Sequence, residues 1–354
     1  MSELANVRRD QSTFRKRLLT TVCSAALATP LCISNTVAAE TDRPQAWIEL
    51  GGQFAEQENG QEIFAPQFLL TSPRPGFETA SPIGLEKPSP TSWDGTAKVT
   101  FEPIGSEWIF SVGVLYGKSN RSRALSQQTA HASHASYGVY NAYQLTSARS
   151  SSSHTILDFG TGKDVGLGMW GSRATSTLEV GLRYAQFSSR TMSAIASQPT
   201  NVNSYEYYHI FRANLVADRS FTGVGPSLTW DSSVEVLGNR REGALTVDWG
   251  LDAALLFGRQ RANVTHQTTN NYKHNIHYLS VTQTGRSDNR RKNVTVPNAG
   301  GFMGLSWRYP NAKLSIGYKA DFFFGAMDGG MDTRKEQNRS FYGPFATVSI
   351  GLGD

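Results

Sequence analysis

The chain has 354 residues, with 34 Lys or Arg against 29 Asp or Glu, a net charge of +5 and only 18% charged residues. Mean hydropathy is negative although 33 Gly, 18 Phe, 13 Tyr and 7 Trp are present, a mixture of polar, glycine-rich and aromatic that fits strands with one face to lipid and one to water. Past the N-terminal segment no stretch approaches the ~20 apolar residues of a spanning helix, and the small positive charge is no footprint for nucleic acid.

The first 39 residues read unlike the rest. Arg8, Arg9, Arg15, Lys16 and Arg17 form a basic head, Leu18 to Ile33 are uncharged and mostly apolar, and Val37-Ala38-Ala39 offers small residues to a signal peptidase. A cleavable signal peptide over residues 1–39 is expected, cut between Ala39 and Glu40, with one barrel domain over 40–354. Pro30 interrupts the apolar run, which is too short for an anchor helix. Both cysteines, Cys23 and Cys32, fall inside this segment, so the exported part has no disulfide framework and no thiolate metal site. Five basic and two acidic residues leave with the signal, taking the net charge from +5 to +2.

Downstream, apolar and polar residues alternate with a period of two, the mark of a strand with unlike faces. Trp93, Ala97, Val99 and Phe101 alternate with Asp94, Thr96, Lys98 and Thr100, and Trp108, Phe110, Val112, Val114 and Tyr116 follow a turn at 103–106. A weaker, glycine-rich strand runs from Leu157 to Met169. After a turn at 171–174, Leu178, Val180, Leu182 and Tyr184 alternate with Glu179, Gly181 and Arg183. Leu228, Trp230, Val234 and Val236 stand against Thr229, Asp231, Ser233 and Glu235. The turn at 238–243 leads into the clearest strand, Ala244 to Gly258, with Leu245 to Phe257 on one face and Thr246, Asp248, Gly250 and Asp252 on the other. Met303, Leu305 and Trp307 precede a turn at 310–312; Leu314 to Phe324 then oppose Ser315, Lys319 and Asp321, and Tyr342 to Leu352 closes the series.

Four short turns therefore separate five longer connections, near 55–92, 118–153, 188–207, 260–293 and 327–340, which is the asymmetry of an outer-membrane barrel with periplasmic turns and external loops. The expected fold is all-β: a transmembrane, antiparallel, up-and-down β-barrel of about ten strands. Ten requires Tyr208 to Leu237 to be one long strand through Gly223-Val-Gly-Pro226; a turn at Asp218 to Thr222 would raise the count to twelve. Trp93, Trp108, Trp230, Trp249 and Trp307 share the apolar face, as in an aromatic girdle.

At this point the residues resemble the pore-forming outer-membrane proteins typified by the major outer membrane protein of Legionella. The similar stretches are Gly181-Leu-Arg-Tyr-Ala-Gln-Phe187, Gly223-Val-Gly-Pro-Ser-Leu-Thr-Trp-Asp231 with Val236-Leu-Gly238, Leu255-Leu-Phe-Gly258, Gly317-Tyr-Lys-Ala-Asp321 and Gly343-Pro-Phe345. The resemblance implies a barrel in the outer membrane of a Gram-negative bacterium with porin-like or surface-exposed roles, and it favours the single long strand. Two departures stand out. The last strand ends Ile350-Gly-Leu-Gly-Asp354 rather than on the aromatic residue that the insertion machinery uses, and the family's cysteines are missing after residue 39, so disulfide-linked assembly is not carried over.

The polar faces define the candidate site. Lys98, Asp158, Glu179, Arg183, Asp231, Glu235, Asp248, Asp252, Lys319 and Asp321 are expected to line the lumen. A ten-stranded lumen is only modestly wider than one that side chains fill. Two readings follow: a narrow channel for small hydrophilic solutes, or an interlocked ionic plug in a sealed barrel that acts through its external loops, by adhesion or lipopolysaccharide contact. A basic external loop, with Arg261, Lys273, Arg286, Arg290, Arg291 and Lys292 against Asp288, suits lipopolysaccharide phosphates or plain solvation. The expected partners are outer-membrane lipid, lipopolysaccharide and, during biogenesis, the barrel-insertion machinery; no feature sets an oligomeric state. No catalytic residue, cofactor or metal is assigned. Ser153, His154 and Asp158 have no fixed geometry for catalysis, His274 and His277 have no convincing third ligand, and Gly160 to Gly166 lacks the P-loop spacing.

Overall fold

The computed structural model describes residues 45–58, 91–104, 106–132, 139–165, 174–199, 207–239, 242–274, 277–284, 288–331 and 333–352. The expected signal peptide with its cleavage position at Ala39 and Glu40, most of the first long connection, and most of the turn near 171–174 lie outside these residues.

The strands are β1 (Ala46–Glu58), β2 (Thr91–Phe101), β3 (Trp108–Ala132), β4 (Val139–Asp164), β5 (Ala174–Pro199), β6 (Tyr207–Asn239), β7 (Gly243–His274), β8 (His277–Thr284), β9 (Asp288–Arg308), β10 (Ala312–Asp328) and β11 (Glu336–Leu352). From β1 to β7 each pairs antiparallel with the next; β9 continues from β7 through β10 to β11, and β11 returns to β1 from Ala46↔Leu352 to Glu58↔Ser340. Ten strands thus close a ring. The eleventh, β8, is a short hairpin strand on the tip of β7, from Gln267↔Thr284 to His274↔His277, on the edge that β9 occupies lower down from Ala244↔Arg308 to Val264↔Asp288.

The expected strand count of ten is what closes the barrel, and the twelve-strand alternative falls. Asp218 to Thr222 sits inside β6, paired at once to β5 (Arg190↔Asp218) and to β7 (Asp218↔Asn263). Pro226 lacks an amide hydrogen, so the β7 ladder lapses over Gly225 and Pro226 and resumes at Ser227↔Ala254 with the register unchanged. The irregularity in β6 lies instead at Val236, between Glu235↔Thr246 and Leu237↔Leu245.

The long connections differ most from expectation. β3 and β4 stay paired to Ala132↔Val139, β5 and β6 to Ser197↔Phe211, and β6 and β7 to Tyr207↔His274. Much of the expected loops at 118–153, 188–207 and 260–293 is therefore ladder, and the weak strand expected to run to Met169 ends at Asp164. Backbone amides and carbonyls make the ladder, whereas segments whose buried inward face is itself largely polar or small, as at Ala148, Ser150, Ser152 and Thr191, carry no apolar alternation to reveal it.

Alternation sorts the two faces. Val112, Val114 and Tyr116, Val180 and Leu182, Leu251, Leu255 and Phe257, and Leu314, Ile316 and Tyr318 are exposed on the outer wall, with Trp93, Trp108 and Trp307 at strand ends; Trp230 and Trp249 are half-buried there. The polar partners of each strand turn inward. Such an apolar exterior is stable only in a solvent as apolar as itself.

Candidate functional site

The interior is filled in layers, described from the end that carries the short turns. At the floor, Asp248 of β7 takes hydrogen bonds from Ser233 of β6 and Ser306 of β9, each at 2.5 Å, and from Thr246 at 3.0 Å; Lys313 at the start of β10 pairs with it at 2.6 Å. Glu235 enters at the same level on β6, opposite Thr246.

The next layers carry most of the remaining predicted charges. Lys98 of β2 lies 3.8 Å from Glu179 of β5 and 3.9 Å from Asp231 of β6, and Ser111 of β3 donates to Glu179 at 2.6 Å. Above them Arg183 of β5 donates through Nε to Asp158 of β4 at 2.6 Å and through Nη2 to Asp252 of β7 at 3.1 Å, while its Nη1 reaches Asn298 of β9. Lys319 and Asp321, two apart on β10, pair at 3.3 Å. Gly300 makes room for the acids: a Cβ there would lie 2.3 Å from Asp252 and 2.4 Å from Asp321. All ten predicted residues therefore share the inward face, and nine of them enter ion pairs with one another or, for Asp248, with Lys313; the tenth, Glu235, lies at the edge opposite Thr246. The side chains of Lys98, Asp158, Asp231 and Lys319 stay partly exposed, at 36%, 41%, 31% and 31%.

The layer above is dry. Phe187 of β5, Phe221 of β6, Phe323 of β10 and Phe341 of β11 are buried, with Phe187 at the centre: its ring centroid is 4.7 Å from Phe323, 5.7 Å from Phe341 and 5.8 Å from Phe221. Leu256, Val296, Met327, Ile156 and Leu115 complete the cluster. At its rim His154 of β4 and Asp94 of β2 are joined at 3.1 Å, fully buried, with the His154 ring 3.9 Å from Phe341. Arg339 lies over Phe341 and donates to Gln57, which also accepts from Ser152 at 2.7 Å. Sequence reasoning missed this layer. It assigned apolar side chains to the outer wall, and it weighed His154 only beside Ser153 and Asp158.

At the opposite end, the segment between β10 and β11 folds over the mouth. Arg290 of β9 pairs with Asp328 at 2.8 Å and donates to the carbonyls of Gly330 at 2.8 Å and Met331 at 2.5 Å; Arg219 of β6 reaches the Gly329 carbonyl at 3.4 Å, and Arg334 reaches Gln260 of β7 at 3.4 Å. The expected basic loop is divided accordingly. Arg261 lies in β7 and Arg290, Arg291 and Lys292 in β9, so these four are strand residues; Lys273 pairs with Tyr278 at the β7–β8 tip, and Arg286 lies outside the described residues. Alternation sends Arg290 inward, where it is committed to the mouth, and leaves Arg261 and Arg291 on the outer wall. Among the described residues no group of three or more His, Cys, Asp or Glu is arranged to hold a metal ion.

A closed antiparallel barrel with an apolar exterior, charged interior, short turns at one end and long hairpins at the other defines an outer-membrane β-barrel. A family model described as Legionella pneumophila major outer membrane protein precursor matches residues 124–351, well over half of the sequence, and the chain belongs to this family. It is a family of outer-membrane proteins, not of enzymes, and the protein resides in the outer membrane. Among solved structures, the chain is similar to the Ralstonia pickettii toluene transporter TbuX (9% identity, 88% of this chain and 90% of that one, TM-score 0.19). It is similar also to the Pseudomonas putida toluene transporter TodX (9% identity, 86% and 88%, TM-score 0.18). No curated protein matches.

Proposed function

We propose that this outer-membrane barrel is a narrow porin-like channel for small hydrophilic solutes, held closed in the present conformation. The observation that carries the reading is the cluster of both charge signs around Lys98, Asp158, Asp231 and Lys319, whose side chains stay partly exposed below the phenylalanine layer. A barrel that only had to be stable would do better with apolar filling, because taking ions from water costs several kcal/mol each (about, per ion) and their pairing rarely returns more. Groups of both signs lining a narrow path would instead carry ions and small polar solutes past successive weak sites. The predicted lumen residues are the walls of that path in this reading, and Asp248 with Lys313 forms its periplasmic entrance.

One observation favours a second reading. The phenylalanine layer is dry and spans strands from opposite parts of the sheet, which supports a permanently sealed barrel that acts through its external hairpins, in adhesion or lipopolysaccharide contact. Stepwise current from the purified protein in a planar bilayer separates the two. Unitary steps whose ion selectivity changes in Asp252→Lys are expected; a silent bilayer from protein that is folded by gel mobility, and silence also in Phe187→Ala, would leave only the sealed barrel. Export in either reading begins with removal of residues 1–39 after Ala39 and continues through the insertion machinery. The intact mass of the membrane-inserted protein tests the first step.

A further inference from the structure

From the outer wall of β7 and β9 we infer a binding site for the phosphate of a lipid A headgroup, built on Arg259, Arg261 and Arg291. Arg261 and Arg291 are register partners in the antiparallel β7–β9 pair and both are exposed on the outer wall. Like charges directly opposite one another on one face of a sheet repel, since such side chains stand about 5 Å apart. Among the described residues neither side chain has an ion pair or hydrogen bond, and the nearest acid on this face by register, Asp218, is one diagonal step away and pairs with Arg190 at 3.6 Å. Arg259, the next outward residue below on β7, is exposed and leans to Asn293 of β9 at 3.3 Å. Three arginines thus share one outward patch of two adjacent strands.

Height along the strand identifies the anion. Leu255 and Phe257 are the last exposed apolar residues on this face of β7. With two residues rising about 7 Å, Arg259 stands about 7 Å and Arg261 about 14 Å beyond Phe257 along the strand. That is the headgroup level of the outer leaflet, where acyl chains pack against Phe257 while a phosphate meets the forks above. A guanidinium binds phosphate through paired, charge-assisted hydrogen bonds, so two facing forks accept one phosphate and their mutual repulsion is relieved by its charge. The occupant to which this geometry commits is a membrane-anchored phosphate with its acyl chains. Free phosphate would gain nothing from the apolar wall below. The site stands independently of whether the barrel conducts.

The test is binding of purified, folded barrel in detergent micelles to bisphosphorylated lipid A, to the same lipid with its phosphates removed, and to inorganic phosphate, with native mass spectrometry counting bound lipid. The wild type is expected to retain bisphosphorylated lipid A and to release the dephosphorylated lipid. Arg261→Gln with Arg291→Gln should weaken retention at least about tenfold, the loss of one or more charge-assisted hydrogen bonds. Lys163→Gln, an exposed cation of β4 at the short-turn end, should behave as wild type, and Arg261→Lys with Arg291→Lys, which keeps the charge and folds under the same constraints, should retain an intermediate amount. Equal retention of phosphorylated and dephosphorylated lipid overturns the site, as does equal loss in the Lys163 variant. Competition by inorganic phosphate at lipid concentrations overturns the lipid assignment.

Discussion

Arg183 on β5 joins Asp158 on the neighbouring β4 to Asp252 on β7, two strands away, through Nε at 2.6 Å and Nη2 at 3.1 Å. The arginine thereby ties three strands across the interior, and its removal would leave two inward carboxylates without their cation. Arg183→Met is expected to destabilise the folded barrel by about 3–5 kcal/mol, read as a lowered urea midpoint in lipid vesicles. Arg183→Lys should recover only part of the loss, because an ammonium cannot serve two carboxylates with a rigid fork.

Phe187 touches the other three rings of the dry layer. Phe187→Ala is expected to cost about 3–5 kcal/mol through the void it leaves. In a planar bilayer the same variant should show larger or more frequent current steps than wild type, because the layer that closes the charged chamber has lost its central ring. Phe324→Ala on the adjoining outward face should change neither current amplitude nor frequency.

Gly225 sits beside Pro226 where the β6–β7 ladder lapses, and a Cβ there would come within 1.9 Å of the Leu255 carbonyl. Backbone cannot yield to a side chain as a flexible neighbour does. Gly225→Ala should therefore lower the urea midpoint by at least the ~1–3 kcal/mol typical of overpacking, whereas Ser227→Ala, one step past the lapse, should change it little. The heat-induced gel shift of the folded barrel compares the two directly.

Arg290 holds Asp328 and the carbonyls of Gly330 and Met331. In Arg290→Ala the segment between β10 and β11 should detach from the mouth while the strands stay paired. Trypsin is expected to cut after Arg334 or Lys335 several-fold faster, with the strand signal in circular dichroism unchanged. An unaltered cleavage rate would show that Arg219 and Arg334 are sufficient to keep the segment in place.

Much of the wall was legible because its lipid face is periodic: Leu245 to Phe257 and Leu314 to Tyr318 announce both strand and side, and four turn positions set the pairing order. The ten inward charges followed from the same alternation, and Lys313 was open to the same reasoning, since it shares parity with Lys319 and Asp321. What alternation hides is an interior that is itself apolar. Phe322, Phe323 and Phe324 run together in β10, with the middle ring inward, and the period of two gives no warning of it. His154 and Asp94 are 60 residues apart and meet only because β2 and β4 flank β3. The polar extensions of β3 to β7 escaped for the opposite reason: Ser150, Ser152 and Thr191 are buried inward yet polar, so the two faces of the strand read alike in sequence.

The seam at which β11 returns to β1 pairs Ala46 with Leu352 and Glu58 with Ser340. Residues about 300 positions apart must meet before the wall has no free edge, and loop closure of that span is the slow kind of contact to form. Until Leu352 is in place, β1 presents a row of unpaired amides and carbonyls that any extended segment can occupy. The same adjacency brings the two ends of the barrel together in space, so a version rejoined across the seam and opened at the β3–β4 hairpin would keep every hydrogen bond of the wall while changing which strands arrive last.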